Sequence, residues 1–109
     1  MLFPTDDANL TPQARAVLAR QADWLTGNPN WRAVIEGHAA ENGTREYNLS
    51  LGARRASSVQ DYLIAHGVDP DRLRTVSFGK ERPLQACATE ACHAANRRAV
   101  TTLHPAGMI

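Results

Sequence analysis

Two stretches of the chain repeat apolar positions at helical spacing, and several shorter ones alternate. Ala14, Val17, Leu18, Gln21, Ala22 and Leu25 recur every three or four residues, which predicts a first helix. Thr11 is placed to cap it, Pro12 suits its first turn, and Gly27-Asn28-Pro29 ends it. A second helix is predicted from about Glu46 to His66, with a stripe of Leu49, Gly52, Ala56, Val59 and Leu63 and a stop at Gly67. The small residues Gly52 and Ala56 suit a close approach to a sheet. Alternation predicts strands at Trp31–Glu36, Leu73–Phe78 and Arg98–Leu103, and a short edge segment at Phe3 broken by Pro4. Val76 and Phe78 should share a face, and the tail from His104 should be loose. The order β-α-β-α-β-loop-β predicts an α/β two-layer sandwich, with two main helices on one face of a small mixed sheet.

The 109 residues suffice for one core, so residues 1–109 are expected to form a single domain. No apolar run is long enough to span a membrane, and Met1 is not followed by the basic region of a signal peptide. The chain fits a soluble part of a longer precursor. A net charge of +1 gives no electrostatic case for nucleic acid. Eleven of the twelve basic residues are arginine, the better fork for planar carboxylates and phosphates, although composition bias explains the excess equally well. Cys87 and Cys92 are the only cysteines. Their spacing favours a short disulfide-closed loop and an oxidising compartment, with a reduced pair as the alternative. It matches no zinc grid, so neither metal nor cofactor is expected.

Candidate chemistry gathers between Ile35 and Val59. Asn48 and Arg55 lie two helical turns apart, within about 20° of one direction, beside Leu51. Arg55 is expected to be half-buried near the mouth of a Gly37–Arg45 loop, and Arg54 to face solvent. Arg55 can clamp a ligand carboxylate, or it can close an internal ion pair with Asp6, Asp7, Glu36 or Glu41. Asn48 can bind ligand or hold the loop. Gly37 and Gly43 allow close backbone approach. A catalytic role for His38 or Cys92 needs a base and a nucleophile in reach, and no such pair is visible. His38 is better read as a hydrogen-bonding edge.

Four motifs occur in order: Gly-His-x-x-Glu-x-Gly-Thr from Gly37, Tyr-Asn-Leu-x-Leu-Gly-x-x-Arg-Ala from Tyr47, Gly-Lys-x-x-Pro from Gly79 and Asn-Arg-Arg-Ala-Val from Asn96. Together they resemble the C-terminal peptidoglycan-binding domain of the outer membrane protein A family, in its lipoprotein branch, from Phe3 to Leu103. The resemblance implies a non-enzymatic module on the periplasmic side of the Gram-negative outer membrane. Such a module binds the diaminopimelate of the peptidoglycan stem peptide, with Tol proteins as possible partners. Any membrane anchor would lie outside these residues. It carries the ligand-carboxylate role to Arg55, and ligand contacts to Asn48, Leu51, His38 and Asp6. Gly43, Phe78, Asn96, Arg97 and Arg98 fall at structural or rim positions.

One position departs from that pattern. The family usually has an Asp fifteen residues before the key arginine, to receive the ligand ammonium; this chain has Ala40. Neighbouring Glu41 can substitute, Asp6 can act alone, or the chain is a weakened binder, by nature or by engineering. Losing one sheltered charge-assisted bond costs about 1.5–3 kcal/mol. The alternative function is a periplasmic interaction module of the Tol system that has given up the wall.

Overall fold

Helix α1 (Pro12–Gly27) begins where Thr11 takes an extended conformation and its hydroxyl accepts from the Ala14 amide at 3.1 Å. Ala14, Leu18, Ala22 and Leu25 form its buried face, while Val17 stays half out of the core. The first strand, β1 (Trp31–His38), alternates as expected: Ala33 and Ile35 are buried and their neighbours are not. Helix α2 (Arg45–Ala65) is capped by Thr44 through the Tyr47 amide. A 3-10 turn (Pro70–Arg72), capped by Asp69, leads into β2 (Leu73–Gly79). The last strand is β3 (Ala99–Pro105). The structure, a computed structural model, describes residues 2–4, 7–39, 43–79 and 97–105.

The sheet order is β2-β1-β3, with β1 parallel to β2 and antiparallel to β3. This is the expected α/β sandwich with a mixed sheet. The register puts Ala33, Ile35, Thr101 and Leu103 on the helix-facing side and Val34, Glu36, Val76 and Val100 on the other. Phe3, Leu18, Leu25, Ile35, Val59 and Leu63 anchor the core between sheet and helices.

Three expectations are corrected. The first strand shrinks to an isolated antiparallel bridge between Leu2 and Arg98, plus one bond from the Phe3 amide to the Arg97 carbonyl at 2.8 Å. β1 runs two residues further than Glu36, to His38, because β2 and the Arg98 carbonyl continue to bond it. β3 includes His104 and Pro105, which pair with Arg32 and Trp31.

Helix and sheet meet at Gly37 and Gly52. A Cβ on Gly37 would overlap the Gly52 carbonyl, and one on Gly52 would overlap Ser77 Oγ and lie 2.9 Å from the Gly37 oxygen. Ser77 Oγ closes the same contact by donating to the Leu49 carbonyl at 2.6 Å. Gly37→Ala is therefore expected to push α2 off the sheet and cost about 3 kcal/mol, the upper end for overpacking. Gly52→Ala should cost less, since alanine recovers about 1 kcal/mol of helix propensity. Urea midpoints of the two variants check this order.

Arg72 ties the end of α1 to the start of β1. Its Nη2 donates to the carbonyls of Leu25, Asn28 and Trp31, each at 2.8 Å, and its Nε to Trp31 at 3.0 Å. These carbonyls end a helix that has no basic residue in its last turn. Arg72→Ala should cost about 1.5–3 kcal/mol, the range for charge-assisted bonds. Arg72→Lys should recover only part of that, because the shorter side chain carries a single nitrogen and loses the separate Nε donor to Trp31. Thermal melts of the two variants read the difference.

Candidate functional site

Four of the expected site residues converge at one end of the sheet. The end of β1 brings His38, the first turns of α2 bring Asn48 and Leu51, and the second of those turns leads to Arg55. The N-terminal segment lies across them. Arg55 is 0% exposed, so the expected half-burial is wrong. The buried face of α2 is wider than the apolar stripe suggested: Asn48, Leu51 and Arg55 belong to it, whereas Leu49 is only partly covered. Arg54 is exposed, as expected.

The reason for the burial lies in what Arg55 bonds. Its Nε donates to the Asp7 carbonyl at 2.9 Å, Nη1 to the His38 carbonyl at 3.0 Å, and Nη2 to the Pro4 carbonyl at 2.9 Å. Its Cζ also sits 5.4 Å from the centre of the Phe3 ring, within cation–π range. Neither Asp7 nor Glu36, two of the proposed ion-pair partners, forms a salt bridge with it among the described residues. Instead the guanidinium gathers main-chain oxygens from two segments that cannot pair with each other. The planar fork and its separate donors make arginine suited to this.

Asn48 is fully buried and donates from Nδ2 to the Thr44 carbonyl at 3.0 Å, bracing the helix start. Leu51 is buried against the core side of the same turn. His38, 2% exposed, lies 3.4 Å from Glu36 through Nε2 and stacks on Phe78 with centroids 5.4 Å apart. The end of β2 closes the floor. Gly79 has φ of 55°, lies against the Asn48–Leu49 backbone, and accepts the Ala39 amide at 2.7 Å. A side chain there would need the left-handed region and would press on the helix start. Gly43, also at positive φ, precedes the α2 cap and lies against the Tyr47 ring.

Arg97 and Arg98 are both nearly buried beside this end. Arg97 Nε donates to the Phe3 carbonyl at 3.2 Å, which suits the structural role expected of it. Burial holds the Arg98 guanidinium below its ordinary pKa, and the charge of Glu36 acts in the opposite direction. Asp6, Ala40, Glu41, Asn96, Cys87 and Cys92 lie outside the described residues.

Other contributors carry little sequence signal. Ser58 Oγ donates to the Ala8 carbonyl at 2.6 Å and gives the N-terminal segment a second tie to α2. Phe3 packs in the core and shields Arg55. Their only clue is position: a serine one turn beyond Arg55, and an aromatic residue just before a proline. Among the described residues, no group of three His, Cys, Asp or Glu side chains gathers to hold a metal ion. No helix there is long and apolar enough to cross a membrane.

The chain matches the OmpA family over residues 2–97 and belongs to that family. It is 52% identical over 107 residues to the peptidoglycan-associated lipoprotein of Rhizobium meliloti, covering 98% of this chain and 61% of that protein. It is 48% identical over 96 residues to the protein of the same name from Pseudomonas aeruginosa, covering 88% of this chain and 56% of the relative. The chain thus spans about three fifths of the length of these curated relatives. The crystal structure of the peptidoglycan-associated lipoprotein from Burkholderia pseudomallei superposes with a TM-score of 0.92 at 37% identity, over 94% of this chain and 87% of that one. The C-terminal domain of Helicobacter pylori MotB has a TM-score of 0.87 at 18% identity, covering 97% and 84% of the two chains, and shares the fold.

Proposed function

We propose that this chain is a non-catalytic module that binds the peptide stem of peptidoglycan on the periplasmic side of the outer membrane, with Arg55 at the centre of the site. The observation that carries this reading is the pre-ordered, buried guanidinium where the N-terminal segment, the end of β1 and the first turns of α2 meet. The names of the relatives above support the ligand class. The family resemblance in the Gly37 and Tyr47 motifs supports its placement.

The stem's diaminopimelate presents a zwitterionic end. Its carboxylate needs donors held in a sheltered place, and its ammonium needs an acid. In this reading Arg55 acts in two ways. It supplies positive charge at the site, and it fixes the Pro4, Asp7 and His38 carbonyls that shape the site's wall. Fixing them beforehand lowers the ordering cost of binding. Asn48 and Leu51 hold the helix start against the ligand, and Asp6 or Glu41 is left to receive the ammonium.

Ala40 favours a second reading, in which the module keeps a periplasmic protein partner, such as a Tol protein, and no longer holds the wall. Calorimetric titration with a diaminopimelate-containing stem peptide separates the two. Binding in the micromolar-to-millimolar range supports the first. No heat of binding, with retained capture of the purified protein partner, supports the second.

A further inference from the structure

A polar hollow of about 450 Å³ opens between the segment that leads into α1 and the outer side of α2. Asp7, Ala8 and Asn9 form one wall, and Arg54, Ser57 and Asp61 form the other. The first wall is pinned to α2. The Asp7 carbonyl accepts from Arg55 Nε at 2.9 Å, and the Ala8 carbonyl accepts from Ser58 Oγ at 2.6 Å. Asp7 Oδ1 accepts the Asn9 amide at 2.7 Å, a local turn that sets the carboxylate in place. An ionised carboxylate offers about four acceptor sites, so one such bond leaves most of them open.

On the second wall, Arg54, Ser57 and Asp61 share one helical face. Arg54 and Asp61 lie two turns apart, about 10.5 Å along the axis. Helix charges pair at three or four residues, so these two are not neighbours. Both are exposed. Among the described residues, neither the Arg54 guanidinium nor the Asp61 carboxylate has a hydrogen-bond or ion-pair partner. The hollow thus presents one open guanidinium fork and two carboxylates. A bare anion entering it meets both acids, and a bare cation meets the guanidinium. A group that carries both signs on one carbon satisfies the whole set. The fork suits its carboxylate, and the acids suit its ammonium.

We infer that this hollow binds a zwitterionic amino-acid end, with the carboxylate on Arg54 and the ammonium between Asp7 and Asp61. The pinned wall lowers the ordering cost of binding. Exposed ion pairs are individually weak, so affinity should be millimolar. A weak site still strengthens the hold on a repeating polymer, because it acts at the effective concentration set by the first contact. The inference does not rest on the wall-binding reading, which places its ligand at Arg55.

The probe is free meso-diaminopimelate, titrated into the isotope-labelled chain. The expected result is shifted amide signals at Ala8, Asn9, Ser57 and Asp61. Pimelate keeps both carboxylates and lacks the ammonium groups, and cadaverine is the reverse; each should shift those signals far less at equal concentration. Arg54→Gln and Asp61→Asn should each weaken binding about threefold to fivefold, the size of one exposed ion pair, with an unchanged melting temperature. Free alanine distinguishes the sources. Equal affinity for alanine assigns the hollow to free amino acids, weaker affinity assigns it to diaminopimelate, and both results support the inference. No shift at those amides, equal shifts with pimelate or cadaverine, or unchanged affinity in both variants overturns it. Shifts confined to His38, Asn48 and Leu51 also overturn it while supporting the Arg55 site, and no shift anywhere counts against both.

Discussion

Arg55→Met is expected to release the N-terminal segment and bring the domain close to unfolding. The substitution keeps much of the side-chain length and removes every donor. The Pro4, Asp7 and His38 carbonyls then lose the guanidinium that gathers them. Each unsatisfied buried group costs about 1–3 kcal/mol, and a carbonyl with a second lone pair sits at the lower end. The bond to His38 is buried, those to Asp7 and Pro4 are part-buried and the Pro4 carbonyl keeps the Asp7 amide, so the loss should be about 3 kcal/mol, against a total stability of about 5–15 kcal/mol for an ordinary domain. At about 4–8 °C per kcal/mol, the melting temperature should fall by at least about 12 °C. Hydrogen exchange should show the Phe3 amide losing protection first, since it is tied to the sheet at its edge, through the Arg97 carbonyl. Arg55→Lys should recover less than half of the loss, because one ammonium cannot reach three separated carbonyls. A melting temperature within about 1 °C of the parent for Arg55→Met would show that the clamp contributes little.

Ala40→Asp is expected to tighten stem-peptide binding by about ten-fold to over a hundred-fold. That factor corresponds to one charge-assisted bond in a sheltered site, about 1.5–3 kcal/mol. Binding gains the full factor only if the carboxylate half of the zwitterion is already held. Arg55 must therefore be in place, and Ala40→Asp combined with Arg55→Lys should bind far less tightly than Ala40→Asp alone. If Glu41 or Asp6 already receives the ammonium, the gain should shrink to about two-fold or less. Titrating the two double variants, with Glu41→Gln and with Asp6→Asn, distinguishes these acids.

Much of the architecture was legible because it rests on periodicity. The α1 cap at Thr11 and the glycine contact of α2 with the sheet both follow from spacing and residue size. Among the described residues the first strand amounts to the Leu2–Arg98 bridge and the Phe3 bond. The burial of Arg55 was misjudged for a physical reason. An amphipathic pattern treats every charged residue as solvent-seeking, and it cannot register carbonyl oxygens delivered from 48 to 51 residues away. The same blindness hid Arg72, which serves carbonyls more than 40 residues earlier. The arginine excess suits forks for carboxylates and phosphates, and composition bias explains it equally well. In the structure Arg55, Arg72 and Arg97 all donate to the chain's own carbonyls. Residue type was a useful signal, and the partners seen among the described residues are main-chain oxygens.

In the proposed reading, Arg55 joins stability to recognition. A guanidinium that organises the wall of the site cannot be changed without moving the wall, so loss of binding in an Arg55 variant does not by itself locate the ligand. Position 40 provides a cleaner handle, because it adds a charge and removes no bond described in the fold.

The central claim is that the Arg55 junction forms the carboxylate half of a site for a zwitterionic peptide end. The most direct test is calorimetric titration of the parent chain and Ala40→Asp with two stem peptides. One carries diaminopimelate, and the other carries lysine, which lacks the terminal carboxylate. The account predicts that Ala40→Asp tightens binding of the diaminopimelate peptide at least tenfold and that the lysine peptide binds both chains weakly. Equal affinity for the two peptides, or no binding of either peptide by either chain, would contradict it.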